Sequence, residues 1–356
     1  MAINLLATIM VVAIHYNSKA FIDVSSGYGI NYLLQEFFVN GISRIAVPIF
    51  ALVSGFIIWE KLSTKNTYFS LLKTRIKSQL LPYLIASFFI FVSYSLITYV
   101  FKPQEFIPID FNVILYRSVV SPLSPQLWFL RDLMFLVLLS PILLYREFFI
   151  HSALVCAFGA LWLLNAQVFP IVGDYYLMNI ETVFFFSLGG LLARKSLIVM
   201  WLLNLQKNAK LAVLTAWSSL ILIRIYIDPT IDLWYVENYT LSSLLLYKLS
   251  IIIGLVAIFS LCKPLAFNRT VVYCSGLTFF VFMYHLVPLS YFRILTEKLF
   301  TKELSFFLNF PIALVCSFYA AHVTAKYFPK VFAVLSGGRN PDKALMRADA
   351  LNKTSS

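Results

Sequence analysis

The strongest constraint on this chain is a series of apolar runs, each close to the length of a membrane span and joined to the next by a short connection. A membrane helix needs ~20 mainly apolar residues, and in lipid only helices or closed barrels satisfy every backbone polar group. The runs are too continuous for barrel strands, in which apolar and polar residues alternate. We therefore predict an all-α, polytopic integral membrane helical bundle of about ten transmembrane helices, at 2–18, 42–60, 79–101, 127–145, 152–169, 180–193, 211–227, 241–261, 271–291 and 304–328.

The composition agrees with a chain that lies almost wholly in the membrane. Only 12% of the residues are charged and 60% are hydrophobic, whereas soluble domains carry about 25% charged residues. No polar block is long enough for a second domain, so residues 1–330 form one predicted membrane domain. Residues 331–356 are polar and form a predicted disordered cytoplasmic tail. The N-terminus has neither the basic region nor the cleavage site of a signal peptide.

The charges of the connections predict the orientation of the bundle. One set of connections is basic and includes Lys61, Lys73, Arg75, Lys77, Arg146, Arg194, Lys195, Lys207, Lys210, Lys263, Arg269 and the C-terminal tail. The alternate set is acidic and includes Asp23, Glu36, Glu105, Asp110, Asp174, Asp228, Asp232 and Glu237. The positive-inside rule places the basic set in the cytoplasm, and an even number of helices then places both termini there. These loops account for the net charge of +12, so we predict no nucleic-acid partner.

The four cysteines give no sign of a metal site. Cys156, Cys262, Cys274 and Cys316 lie in or beside apolar runs, and their spacing matches neither a metal-ligand set nor a disulfide framework. We therefore interpret them as small packing residues. The sequence predicts no metal and no bound cofactor.

Ionisable residues occur within the predicted helices, and the predicted topology puts seven of them in the outer half of the membrane. They are His15, Arg44, Arg131, Asp132, Glu181, Arg224 and His285. Each one alone can be read as a helix-end residue that reaches the interface, although apolar sequence continues after His285. Ionisable groups inside a membrane are costly and mark functional sites. Taken together, two histidines with arginines and carboxylates in one layer indicate a polar cavity that opens outward.

Several segments resemble the acyltransferase-3 family of membrane O-acyltransferases, and they do so in the family's order. The segments are "LLATIMVVAIHYN" from Leu5, "ISRIAVPIFALVSGFII" from Ile42, "LLKTRIKSQLLPYL" from Leu71, "PQLWFLRDLMFLVLLSPILLY" from Pro125, "TVFFFSLGGLLAR" from Thr182 and "SGLTFFVFMYHLVPL" from Ser275. The match covers most of residues 4–325. It is most similar to the branch that O-acetylates enterobacterial common antigen.

The resemblance implies an enzyme of the bacterial inner membrane that moves an acyl group from acetyl-CoA, as co-substrate, to a surface glycan or its lipid-linked precursor. Such a reaction needs a base for the hydroxyl proton and a group that stabilises the oxyanion. We expect His15 to be the base and Arg44 to hold negative charge, because imidazole titrates near neutrality and guanidinium pairs with anions. Asp132 or Glu181 is expected to orient His15, and His285 is the second acid–base candidate.

The remaining expected contacts are to the two substrates. Trp128 and Trp234 are candidates to stack on a sugar ring, although tryptophans also anchor helices at the membrane interface. Arg131 and Arg224 complete the predicted acceptor side. The donor-side candidates are Arg75, Lys77 and Ser54, where a solvated cytoplasmic surface explains the two cations equally well.

Two departures from the family pattern leave alternatives open. The family has an arginine eleven residues before the histidine, where this chain has Asn4, and the residues that usually precede it are missing. A misassigned start and a truncated or diverged, catalytically impaired relative are both consistent with this. Gln126 stands where the branch often has histidine. A transporter of a polar solute is the second functional class, but we find neither an internal repeat nor a matched pair of broken helices.

Overall fold

The computed structural model describes residues 1–15, 29–63, 67–101, 103–172, 175–233 and 236–355. The helices of the first half are α1 (Ala2–Ile14), α2 (Ile30–Gln35), α3 (Ala46–Ser63), α4 (Tyr68–Arg75), α5 (Leu81–Phe101), α6 (Phe111–Val119), α7 (Leu127–Leu138), α8 (Ser140–Leu143) and α9 (Phe148–Leu163). A two-residue antiparallel pair follows, β1 (Ile171–Val172) and β2 (Tyr175–Tyr176). The helices of the second half are α10 (Ile180–Arg194), α11 (Ser196–Leu203), α12 (Lys207–Ile227), α13 (Leu241–Leu265), α14 (Arg269–Tyr284), α15 (Leu286–Leu299), α16 (Lys302–Tyr327), α17 (Pro329–Leu335) and α18 (Pro341–Ser355).

The predicted helical membrane fold is confirmed. Within the described residues five helical stretches are long and apolar enough to cross a membrane, or up to seven if each of two bent pairs is one span. The bent pairs are α10 with α11, at 96°, and α14 with α15, at 57°. The expected number of ten is larger because it also counts shorter apolar helices, such as α1 and α9.

The second predicted helix begins well before residue 42. A continuous helical stretch runs from Ile30 to Ser63, with a π-helical segment at Glu36–Gly41 and a 3₁₀ segment at Ile42–Ile45 between α2 and α3. Glu36 is therefore a buried helical residue, and the prediction that it belongs to an external loop is wrong. Irregular turns of this kind redirect side chains and are frequent at functional sites.

Helices α3 and α10 cross with their backbones in contact. A Cβ atom on Gly55 would lie 1.9 Å from the carbonyl oxygen of Phe186, and one on Gly189 would lie 2.0 Å from that of Leu52. Small residues at such crossings let membrane helices approach closely. The crossing fixes the helical stretch that carries Arg44 against the helix that carries Glu181.

The C-terminal segment differs from the disordered tail that its composition predicts. Helix α17 and helix α18 follow the last long helix, and α18 packs against α14. The turn between them requires glycine at Gly337, where φ is +66° and a Cβ atom would lie 2.1 Å from the carbonyl oxygen of Ser78. The turn is thus fitted closely to the segment between α4 and α5.

Candidate active site

The two predicted histidines meet at the ends of two helices. His15 follows α1 and His285 follows α14, two helices that pack along each other. Their ring centroids are 5.1 Å apart, and His285 Nε2 lies 3.3 Å from His15 Nδ1. His285 is fully buried, whereas His15 is partly exposed. The structure therefore brings together two residues that are 270 positions apart in the chain.

Backbone carbonyls fix the tautomers of this histidine pair. His15 Nδ1 lies 2.7 Å from the carbonyl oxygen of Val11, and His285 Nδ1 lies 3.1 and 3.0 Å from those of Val281 and Phe282. A carbonyl oxygen only accepts, so both Nδ1 atoms carry a proton in the neutral rings. The single Nδ1 proton of His15 is then shared between the Val11 carbonyl oxygen, which is the nearer acceptor, and His285 Nε2, which is the more distant one. His15 Nε2 is left with its lone pair, and it is buried without a hydrogen-bond partner among the described residues.

His15 opens onto a cavity that encloses about 1120 Å³ of empty space, part of it open to solvent. We call it the histidine cavity. Its polar lining comes from residues on six separate parts of the chain: His15, Arg44, Gln126, Asn165, Gln167, Asn179, Glu181 and Lys248. The sequence predicted His15, Arg44 and Glu181 for such a cavity.

A row of hydrogen bonds holds Arg44 at the cavity wall. Its Nε and Nη2 atoms donate to Asn40 Oδ1 at 3.2 and 2.7 Å. Asn40 Nδ2 donates to Glu36 Oε2 at 2.6 Å. The other oxygen of Glu36 forms a 2.6 Å ion pair with Arg224, and both side chains are only 2% exposed. Arg224 is therefore linked to Arg44 through Glu36 and Asn40. The predicted acceptor-side role would require Arg224 to line the cavity, and it is not among the lining residues.

Glu181 and Lys248 lie on the wall formed by α9, α10 and α13. Trp162 Nε1 donates to Glu181 Oε2 at 2.8 Å. Lys248 is 3% exposed, donates to Asn165 Oδ1 at 3.4 Å and has its Nζ atom 4.8 Å from the ring centroid of Trp162. The structure gives Glu181 no hydrogen bond to His15, so the expectation that it orients the base has no contact to support it.

Arg131 and Asp132 form a buried pair behind the cavity. Arg131 Nη2 lies 2.9 Å from Asp132 Oδ1, and Arg131 also donates to the backbone carbonyl of Val120. Neither residue lines the histidine cavity. Asp132 thus pairs with its chain neighbour and not with His15, contrary to the expected orienting role. The acceptor-side role of Arg131 stays a prediction.

The aromatic and amide predictions have different outcomes. Trp128 lines the histidine cavity, as a sugar-stacking residue would, whereas Trp234 lies outside the described residues. Gln126 also lines the cavity, and its amide donates to the carbonyl oxygen of Met283 at 2.8 Å. It thereby ties the start of α7 to the end of α14, just before His285.

A second cavity, with about 690 Å³ of empty space, lies toward the other end of α1. We call it the arginine cavity, because Arg75 and Arg339 line it together with Asn4 and Ser54. Two of the predicted donor-side residues, Arg75 and Ser54, are thus brought together. Lys77 is exposed and is not among the lining residues. Asn4 and His15 are eleven residues apart on one helix, a rise of about 16 Å.

Three phenylalanines separate the two cavities. Phe129 and Phe282 line both of them, and Phe50 lines the arginine cavity. The ring centroids are 6.0 Å apart for Phe50 and Phe129, 5.7 Å for Phe50 and Phe282, and 6.4 Å for Phe129 and Phe282. The two cavities therefore lie back to back, and this cluster of aromatic side chains forms part of the wall between them.

Four residues at or next to the two cavities were not predicted as site residues from the sequence: Glu36, Asn40, Lys248 and Arg339. A signal existed for Lys248, since a lysine inside the apolar run "LSSLLLYKLSIIIGL" needs a partner or a function. Glu36 and Asn40 lie only six and two residues, respectively, before the predicted start of a helix that begins much earlier in the structure. Nothing local indicates Arg339, because its role depends on a contact with residues 261 positions away.

Comparisons with known proteins identify the family of the chain. A family described as an acyltransferase domain matches residues 3–326. The chain is also 26% identical to the succinoglycan biosynthesis protein ExoH of Rhizobium meliloti (strain 1021) over 363 residues, which cover 97% of this chain and 92% of that protein. No solved structure matches the chain. The matched residues include both histidines and every residue that lines the histidine cavity, but they end before Arg339 of the arginine cavity.

Proposed function

The chain belongs to the acyltransferase-3 family, and on that premise we propose that it transfers an acetyl group from acetyl-CoA to a hydroxyl of a cell-surface polysaccharide or its lipid-linked precursor. The observation that carries the proposal is His15 Nε2, an unprotonated ring nitrogen at the wall of a cavity that also contains Arg44. This nitrogen has no hydrogen-bond partner within the part of the chain that the structure describes. A general base must present such a lone pair to the proton that it removes.

The proposed reaction assigns a role to each group at the cavity. His15 Nε2 takes the proton of the acceptor hydroxyl while that oxygen bonds to the acyl carbon. The carbonyl oxygen becomes negative, and the Arg44 guanidinium stabilises it. The carbon–sulfur bond then breaks, its electrons go to sulfur, and the thiolate takes the proton from His15. His285 Nε2 faces His15 Nδ1 and supports the imidazolium in between.

The arrangement of the two cavities suits substrates that approach from opposite sides. In the proposed multi-pass orientation the basic connections and both termini are cytoplasmic, so the arginine cavity faces the cytoplasm, where acetyl-CoA is made. The histidine cavity then faces outward, where the glycan acceptor and membrane lipids meet the protein. The acyl end of the donor must pass Phe50, Phe129 and Phe282 to reach His15.

The acceptor class rests on the similarity to ExoH, which takes part in succinoglycan biosynthesis. A polysaccharide acceptor also suits the lining of the histidine cavity, where Trp128 offers a ring face and Asn165, Asn179 and Glu181 offer hydrogen-bonding groups. An enzyme of this kind belongs in the bacterial inner membrane, next to lipid-linked glycan precursors.

The proposal is tested by mass spectrometry of surface glycans from a deletion strain that carries the wild-type chain, His15→Gln or His322→Gln. The glutamine keeps hydrogen-bonding capacity but accepts no proton near neutral pH, so we expect His15→Gln to lower acetylation by about 10²–10⁴-fold at equal membrane abundance. His322 is the matched control, since it pairs with Tyr273 at 2.7 Å and does not line the histidine cavity. Near-normal acetylation with His15→Gln would make His285 the leading base. A wild-type chain that leaves every glycan unchanged would refute the proposed function.

A further inference from the structure

The arginine cavity contains two guanidinium groups and no carboxylate. Arg75 comes from the end of α4, and Arg339 comes from the turn between α17 and α18. Arg75 Nε is buried and has no hydrogen-bond partner among the described residues. Among the described residues that line the cavity there is no aspartate or glutamate. Two half-buried cations without a counter-ion among the described lining residues favour an anionic ligand.

Arg339 is held in place by three contacts. Its Nη1 atom donates to the carbonyl oxygens of Ser78 and Ser336 at 3.1 and 2.6 Å. Its guanidinium carbon lies 3.6 Å from the ring centroid of Phe279, which is a cation–π distance. Burial, and after it the charge of Arg75, lower the pKa of Arg339 from its ordinary value. Holding Arg339 beside the second cation, Arg75, costs electrostatic free energy. An anion bound between the two guanidinium groups would offset that cost.

The C-terminal segment around Arg339 is built into the fold. A Cβ atom on Gly337 would collide with the carbonyl oxygen of Ser78, and one on Gly276 in α14 would lie 2.6 Å from Cα of Pro341. The segment therefore packs against α14 and against the segment between α4 and α5, on the two sides of Arg339. Arg339 also lies beyond residue 326, where the family match ends.

We infer that Arg339 joins Arg75, which the sequence already placed on the donor side, in a site for the phosphate groups of the acyl donor, and that the C-terminal segment covers this site. The inference rests on the proposed function for the identity of that donor. Guanidinium groups bind phosphate through paired, charge-assisted hydrogen bonds. No residue of the segment beyond Tyr327 had a role in the proposed reaction, so Arg339 is an additional binding residue of this chain.

The other lining residues favour a donor with a polar arm over the headgroup of an anionic lipid. Polar side chains of Asn4, Thr8, Ser54, Gln79 and Thr278 line the cavity, and Gln79 Oε1 is buried without a hydrogen-bond partner among the described residues. Amide and hydroxyl groups along an arm satisfy such side chains, whereas lipid tails leave them unsatisfied. The cavity also ends on Phe129 and Phe282, the wall that it shares with the histidine cavity.

The test measures binding of free coenzyme A to the purified full-length protein in nanodiscs made of zwitterionic lipid. Arg75→Gln and Arg339→Gln should each weaken binding by about tenfold or more, because each removes charge-assisted hydrogen bonds to phosphate. Arg347→Gln is the matched control, since Arg347 is an exposed arginine of the same segment and should bind as the wild type does. Arg339→Lys keeps the charge without the forked geometry, so its affinity for coenzyme A should lie between those of the wild type and Arg339→Gln. This intermediate affinity would show that the loss in Arg339→Gln is not a folding defect.

The outcomes separate this inference from the proposed function. Equal affinity of the wild type, Arg75→Gln and Arg339→Gln for coenzyme A would overturn the phosphate site, even if glycan acetylation still depended on His15. A second arm repeats the comparison with phosphatidylglycerol in the nanodiscs and measures the lipid retained by native mass spectrometry. Retention of phosphatidylglycerol that depends on Arg339, together with no binding of coenzyme A, would refute the donor as the ligand and assign the site to lipid.

Discussion

Glu36→Gln is the substitution that most directly tests the row of hydrogen bonds behind Arg44. Glu36 accepts from Arg224 with one oxygen and from Asn40 with the other. Glutamine has one oxygen and one amino group, so it can accept from only one of these two donors. If the oxygen stays on Arg224, the amino group faces the amino group of Asn40, and Asn40 must rotate. Its oxygen then turns away from Arg44, which loses the acceptor of two hydrogen bonds.

The expected magnitudes follow from burial. Arg224 and Glu36 are each 2% exposed, and removing one partner of a buried ion pair typically costs ~3–5 kcal/mol. Because glutamine still offers one oxygen, we expect the lower end, about 3 kcal/mol of unfolding free energy. A shift of Arg44 of about 1 Å is enough to lower the rate of acyl transfer by roughly 10²-fold.

The assay combines equilibrium unfolding in mixed micelles with glycan acetylation at equal membrane abundance. Glu297→Gln is the matched control, because Arg293 and Glu297 form an ion pair of 2.8 Å whose side chains are 38% and 27% exposed. An exposed pair of this kind contributes about 0–1 kcal/mol, so the control should leave both readouts nearly unchanged.

A double variant separates stability from positioning. Glu36→Leu with Arg224→Met replaces the buried pair by apolar groups, which is often neutral or stabilising. We expect it to restore the unfolding free energy but not the acetylation, because Asn40 still lacks its acceptor. If Glu36→Gln behaved like Glu297→Gln in both assays, the hydrogen bonds from Arg224 through Glu36 and Asn40 would not position Arg44, and the proposed role of Glu36 would be refuted.

Two further predictions concern the packing and the orientation of the bundle. Gly189→Ala should lower the unfolding free energy by about 1–3 kcal/mol through overpacking against Leu52, whereas Gly29→Ala, which meets nothing within 4 Å, should change it little; equal effects would argue against the tight crossing of α3 and α10. Single cysteines at the exposed positions of Lys195 and Asp110 should react from opposite sides of the membrane. A membrane-impermeant thiol reagent applied to intact cells should label the cysteine at Asp110 alone, and labelling at Lys195 alone would reverse the proposed orientation.

Local sequence was enough to predict the helices and the residue types of the site. The apolar runs predicted all-helical structure, since an uncharged stretch in lipid must satisfy its own backbone. Topology also placed His15, Arg44, Glu181 and His285 in one layer, and the structure brings His15 onto His285 and onto a cavity with Arg44 and Glu181. The resemblance to the family came from the same residues and is confirmed by the match over 3–326.

Only the tertiary structure decided which side chain partners which. Sequence left Asp132 and Glu181 as equal candidates to orient His15, but Asp132 lies against Arg131 and Glu181 accepts from Trp162. The true neighbours of His15 Nδ1 are Val11, one turn earlier on its own helix, and His285, from the far end of the chain. The reason is that hydropathy reports the environment of a helix, whereas hydrogen bonds depend on the rotation of each helix about its axis and on its depth in the membrane, to within an ångström. Those are set by close crossings such as Gly55 on Phe186, which no local pattern encodes.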